Sequence, residues 1–75
     1  MRSRPPRRKL RARLAHAARR LRAERGWTQE QVAGAASMNP RHYQKIEEGS
    51  VNVTINTLER LCAAFGVDVM KLFEA

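Results

Sequence analysis

The chain has 75 residues, 43% of them hydrophobic, and a net charge of +8 from 15 basic and 7 acidic side chains. This length supports one small core and excludes a multidomain enzyme or a dinucleotide-binding fold. No run approaches the ~18 apolar residues of a membrane span, and the single cysteine, Cys62, excludes an internal disulfide framework and a multi-cysteine zinc site.

The charge is uneven along the chain. Residues 1–25 hold eleven basic side chains and one acid, Glu24, for +10, whereas residues 26–75 hold four against six, for −2. A positive excess gathered in the first third points to a polyanionic partner, nucleic acid above all. No apolar h-region follows the arginines, so they do not read as a secretory signal. Residues 1–9 read as a flexible basic arm: Ser3, Pro5 and Pro6 oppose helix and the charges repel one another. Arg7, Arg8 and Lys9 at its end are expected to touch the partner's phosphates. Residues 10–75 read as the folded domain, whose first helix is expected from about Arg8 to Arg25. Leu10, Leu14, Ala17, Ala18 and Leu21 recur there at steps of three and four, and Gly26 stands where a C′ glycine belongs.

The rest of the chain repeats one pattern four times. An apolar residue precedes a capping residue, and another apolar residue follows four positions later: Trp27-Thr28 with Val32, Met38-Asn39 with Tyr43, Val53-Thr54 with Leu58, and Val67-Asp68 with Leu72. Each matches an N-cap with a hydrophobic staple. Thr28 and Gln31 also form a capping box, and Pro40 falls at N1, where its missing N–H costs nothing. With Gly49 and Gly66 as helix ends, the pattern predicts helices over about 29–36, 40–48, 55–65 and 69–74. No segment alternates with period two for long enough to be a strand, so the fold class is all-α.

The second and third helices are separated only by Ser37-Met38-Asn39, which is the spacing of a helix-turn-helix unit. Ala33 is small where the third helix must approach, and Met38 and Ile46 can pack the pair together. Arg41, His42, Gln44 and Lys45 are left on the outer face of the third helix, able to donate to base edges or phosphates. Glu47 faces inward from the end of that helix, and a buried acid needs a partner.

Trp27-Thr28-Gln29-Glu30-Gln31-Val32-Ala33, Asn39 through Ile46-Glu47-Glu48-Gly49, Asn52-Val53-Thr54-Ile55, Leu58, Leu61 and Phe65-Gly66-Val67 together resemble the phage-repressor-like (XRE-type) helix-turn-helix family, over about residues 14–73. The resemblance implies a five-helix, lambda-repressor-like domain that binds double-stranded operator DNA as a dimer and regulates transcription. It implies that Gln29, with Thr28 beside it at the start of the second helix, meets a DNA phosphate. Asn39, Pro40, Arg41, Gln44 and Lys45 fall on the positions that face bases in the major groove. Ser50 and Asn52 fall where the following loop meets the DNA backbone, with His42 as a further backbone contact. Arg22 and Glu47 occupy the positions of a structural ion pair. Three residues depart from the common pattern. Pro40 offers only apolar contact where some relatives carry a base-reading amide. Ser37 replaces a turn glycine and would be strained in a left-handed conformation. Val53 stands where proline is frequent.

Other residues carry less. Tyr43 reads as a core staple, Cys62 as a small core residue, and Arg19 and Arg20 as solvated helix positions. His16 and His42 are far apart and lack further ligands, so no metal site is expected. No nucleophile–base pair or phosphate-cradling glycine loop suggests an enzyme, and no cofactor is implied. Val67, Val69, Met70, Leu72 and Phe73 give the last helix more apolar surface than a small domain buries; Val69, Met70 and Phe73 are the expected homodimer contacts. Two related readings are an antitoxin, or other partner-protein-binding module, and a restriction–modification controller; a third is RNA binding by the arm. The expected location is cytoplasmic, on bacterial or phage DNA.

Overall fold

The computed structural model describes residues 7–74, with side-chain surroundings from Leu10 onward. Residues 1–6 of the expected arm lie outside the described residues; its last three, Arg7, Arg8 and Lys9, are instead the first turn of α1, although their side chains lie outside the described ones. The chain forms α1 (Arg7–Arg25), α2 (Gln29–Ala35), α3 (Pro40–Glu48), α4 (Ile55–Phe65) and α5 (Val69–Glu74). The described residues contain no strand.

Four of the five starts are set by a side chain that satisfies a backbone donor the helix leaves free. Thr28 Oγ1 accepts from the Gln31 N–H at 3.0 Å and Gln31 Oε1 accepts from the Thr28 N–H at 2.7 Å, which completes the capping box. Asn39 Oδ1 accepts from the Arg41 N–H at 2.7 Å, Thr54 Oγ1 from the Thr57 N–H at 3.1 Å, and Asp68 Oδ1 from the Lys71 N–H at 2.8 Å. The helix α2 stops one residue earlier than its pattern predicts because the chain turns at once. The Ser37 and Met38 N–H groups bond back to the Gly34 and Ala33 carbonyls at 3.2 and 2.9 Å. Ser37 takes φ 55°, the left-handed strain expected of a non-glycine residue in that turn. Arg60, reaching across from α4, donates to the Ser37 carbonyl at 2.9 Å and ties the turn to the rest of the bundle.

The helix α1 packs on α3 and α5, α2 on α3 and α4, and α4 on α5. Leu14, Ala17, Ala18, Leu21, Val32, Ala33, Tyr43, Ile46, Leu61, Phe65 and Leu72 make one core. Ala33 is fully buried where α2 meets α3, so its small size is what permits their approach. Trp27 stacks on Phe65 with ring centroids 6.3 Å apart, and the Arg25 guanidinium lies over both rings while donating to the Phe65 carbonyl at 2.6 Å. Three expectations about the core need correction. Leu10 is 58% exposed, at the rim of an apolar groove that it lines with Leu14, Val53, Leu58 and Phe73. Leu72 belongs to the core and Val67 and Phe73 are half-buried, so the apolar surplus of α5 reduces to Val69 and Met70. Cys62 is half-buried rather than core, and burial, with Asp68 and Glu59 nearby, pushes its thiol pKa up.

Leu61 has no exposed surface. Leu61→Ala should cost about 2–5 kcal/mol, a large share of the stability of so small a domain. Thr54→Ala should cost about 1 kcal/mol through the lost cap. Urea unfolding followed by circular dichroism measures both. Equal losses from the two variants would contradict this assignment of core and cap.

Candidate nucleic-acid interface

The outer face of α3 is built by exclusion. Tyr43, Ile46 and Glu47 are buried, which leaves Pro40, Arg41, Gln44, Lys45 and Glu48 exposed on the other side of a nine-residue helix and His42 half-buried beside them. Among the described residues, the side chains of Arg41, Gln44 and Lys45 make no hydrogen bond to another protein group, so their donors are unspent. Asn39 is exposed at the helix start, but its Oδ1 is committed to the cap, so only its Nδ2 donors remain.

Beneath this face lies a buried charge. Glu47 is 4% exposed, and the Arg22 guanidinium of α1 grips it side-on, Nε to Oε2 at 2.6 Å and an Nη to Oε1 at 3.1 Å. Arg22 also donates to the Trp27 carbonyl at 3.1 Å. Gln29, the first residue of α2, donates its Nε2 to Glu47 Oε1 at 2.9 Å. One carboxylate thus joins α1, α2 and α3. Burial opposes ionisation of Glu47, yet hydrogen bonds from Arg22 and Gln29, with the Tyr43 hydroxyl close by, outweigh it and hold the carboxyl below its ordinary value. The same contact with Glu47 raises Arg22. Burial first, then the neighbouring carboxylate, pushes the Tyr43 phenol well above its ordinary value, so it stays protonated; its buried oxygen sits beside Glu47 without a well-aligned partner.

The remaining expected contacts lie around α3. Thr28 and Gln29 sit at the start of α2, the Thr28 hydroxyl oxygen accepting in the capping box. Gln29 keeps one Nε2 hydrogen beyond the one given to Glu47. Ser50 is exposed just past Gly49, its hydroxyl donating to the Lys45 carbonyl at 3.2 Å. Asn52 is exposed in the α3–α4 loop and accepts from Arg11. The side chains of Arg7, Arg8 and Lys9 lie outside the described residues. Val69 and Met70 are 45% and 69% exposed, and Phe73 is half-buried.

Sequence reasoning missed several members. Arg19, read as solvated, donates to the Glu47 carbonyl, whereas Arg20 is a solvated residue paired with Glu24 at 3.3 Å. Arg11, Arg19 and Arg22 form one stripe of α1 along α3, with spacings of eight and three residues that place them on one helical face. That spacing was the available signal. Ile55, 72% exposed beside Val69, was also missed.

A family model described as a helix-turn-helix domain matches residues 13–72. The chain belongs to this family. The helix-turn-helix chain is 31% identical over 68 residues to the Neisseria hypothetical transcription factor of Neisseria meningitidis serogroup B, covering 91% of this chain and 64% of that protein. It is 34% identical over 61 residues to the HTH-type transcriptional regulator DdrOP3 of Deinococcus deserti, covering 81% of this chain and 47% of that one. It thus spans about half to two thirds of the length of these relatives. Its helix-turn-helix fold also superposes on the wild-type restriction-modification controller protein C.Esp1396I with a TM-score of 0.79 at 29% identity, covering 87% of this chain and 84% of that chain.

Because the folded carboxyl of Glu47 lies below its ordinary value of 4.5, its contribution to stability is fully present above that pH and is lost as pH falls below it. Arg22→Ala should cost about 3–5 kcal/mol near pH 7 by stranding a buried charge. In that variant burial is opposed mainly by the Gln29 amide, so the Glu47 carboxyl rises from its parent value, less stability is lost through this group in acid, and the deficit should shrink below pH 4.5. Urea melts of both proteins between pH 3.5 and 7 measure this. A deficit independent of pH would contradict the pairing.

Proposed function

We propose that the chain is a sequence-specific, double-stranded DNA-binding transcriptional regulator whose α3 reads bases in the major groove. The observation that carries this reading is the outer face of α3: Arg41, Gln44 and Lys45 exposed with unspent donors, on a helix whose opposite face is anchored by a buried ion pair. A helix presented this way fits a major groove about 12 Å wide, where arginine and lysine match guanine and glutamine matches adenine. Asn39 and Pro40 complete the base-facing set, Pro40 through apolar contact alone. Thr28, Gln29, His42, Ser50 and Asn52 surround that face and serve the phosphates, joined by Arg7, Arg8 and Lys9. Phosphate contacts position the protein and base contacts specify the site. The activity is binding, without catalysis, and no cofactor takes part. Among the described residues no helix is long and apolar enough to cross a membrane, and the place of action is the cytoplasm, on DNA.

The regulator acts as a homodimer. Ile55 and Val69 lie exposed along one apolar groove with Leu58 and Cys62, and Met70 stands free beside it. An apolar strip of this kind on a single small domain supports pairing of two copies; Phe73, half-buried in a second groove with Leu10 and Val53, completes the proposed contacts. Paired domains would present their α3 helices about 34 Å apart to a two-fold symmetric site. The superposition on a restriction-modification controller favours that class of regulator over an antitoxin.

Selection of bound sites from a random duplex library should return a roughly palindromic sequence. Arg41→Ala and Gln44→Ala should each relax preference at defined positions, by about 1–3 kcal/mol of discrimination. Gln29→Ala should weaken all duplexes by a similar factor. Sequence-independent losses from all three would refute readout by α3. Sedimentation equilibrium should show a dimer that Val69→Asp converts to a folded monomer; a monomer before substitution would refute the dimer.

A further inference from the structure

The helix α1 begins at Arg7, more than one turn before the family match at residue 13. This added segment is held against the α3–α4 loop. Gly49, left-handed at φ 72°, brings its α-carbon against the backbone of Arg11 and Ala12, close enough that a β-carbon there would meet the Arg11 carbonyl at 3.6 Å. From that contact the Arg11 guanidinium donates to Asn52 Oδ1.

The chemistry of this bond fixes more than a distance. A guanidinium only donates, so the Asn52 carboxamide must turn its oxygen to Arg11. Its Nδ2, with two donor hydrogens, then faces away, and most of the five guanidinium N–H groups remain unspent. The result is an exposed fork of cationic and amide donors. The sequence places no acid before Glu24 in α1 and none in residues 49–54. Glu48, exposed at the end of α3, is the acid nearest that loop in sequence, and the buried Glu47 before it is already neutralised by Arg22. Several donors converging beside one positive charge suit an anion with two free oxygens on one centre.

We infer that Arg11 and Asn52 together form a phosphodiester-binding clamp that extends the DNA footprint beyond the helix-turn-helix unit. Arg11 binds the phosphate and also orients the Asn52 amide toward it. The inference rests on the proposed duplex-DNA reading, with the clamp lying where the loop after α3 passes the backbone of the duplex.

The test measures the affinity of the full chain for its selected duplex and for an unrelated duplex across a range of salt concentrations. Arg11→Ala should reduce the slope of log affinity against log salt by about 0.9, the release expected of one phosphate contact, and weaken both duplexes by the same factor, about tenfold at 0.1 M salt. Asn52→Ala should weaken both duplexes as well, and the double variant should lose less than the product of the two single losses. Arg13→Ala removes the same charge from a position turned by about 200° on the same helix and should leave the slope close to that of the parent. A slope unchanged by Arg11→Ala, equal effects of Arg11→Ala and Arg13→Ala, or independent losses from Arg11 and Asn52 would overturn the clamp while leaving base readout by α3 standing. Failure of the parent chain to bind any duplex would overturn the clamp together with the reading beneath it.

Discussion

Three helices of this domain meet at one carboxylate. Glu47 lies at the end of α3, accepts from the Nε and one Nη of the Arg22 guanidinium of α1, and accepts the Gln29 amide from the first turn of α2. A lone carboxylate buried this deeply would cost several kcal/mol, so each partner is required by the burial of the others. The geometry of the outer face follows from this inner constraint. With Glu47, Tyr43 and Ile46 turned inward, the periodicity of a nine-residue helix leaves Arg41, Gln44 and Lys45 no place but outside. The start of α2 is held by the same charge, so a phosphate contact from Gln29 and base contacts from α3 would be presented on one rigid frame.

The uneven charge of the sequence acquires a finer meaning in the fold. The basic residues of α1 are not equivalent. Arg22, Arg19 and Arg11 run along α3 and the loop after it, engaging Glu47, the end of α3 and Asn52 in turn. Arg20 faces solvent with Glu24, and Arg25 is spent on Trp27 and Phe65. Several arginines are therefore structural, and the excess positive charge available to a polyanion is smaller than composition suggests. What remains is distributed between the N-terminal turns of α1 and the outer face of α3, which fits a division between general affinity and base selection.

The helices were legible because their signals are local. A cap and a staple involve residues five apart or fewer, and Thr28, Asn39, Thr54 and Asp68 each perform the capping that their positions suggest. The strain at Ser37 was legible for the same reason. That Glu47 turns inward followed from its place on α3, but that Gln29 shares its carboxylate did not, since the two are 18 positions apart and glutamine carries no charge to suggest a partner. Leu10 was misread because a stripe on a helix reveals which face is apolar, not how fully each position on it is covered. The apolar excess of α5 was overstated for the converse reason: Leu72 finds its cover within the same chain.

The central claim is that α3, held from beneath by Glu47, delivers its outer face to base edges. Methylation interference on the selected duplex tests this most directly, because guanine N7 lies in the major groove and adenine N3 in the minor. The account predicts interference at guanine N7 in two clusters about one helical turn apart, with the cluster signal weakened at defined guanines by Arg41→Ala. Interference confined to minor-groove positions, or unchanged by that substitution, would contradict it.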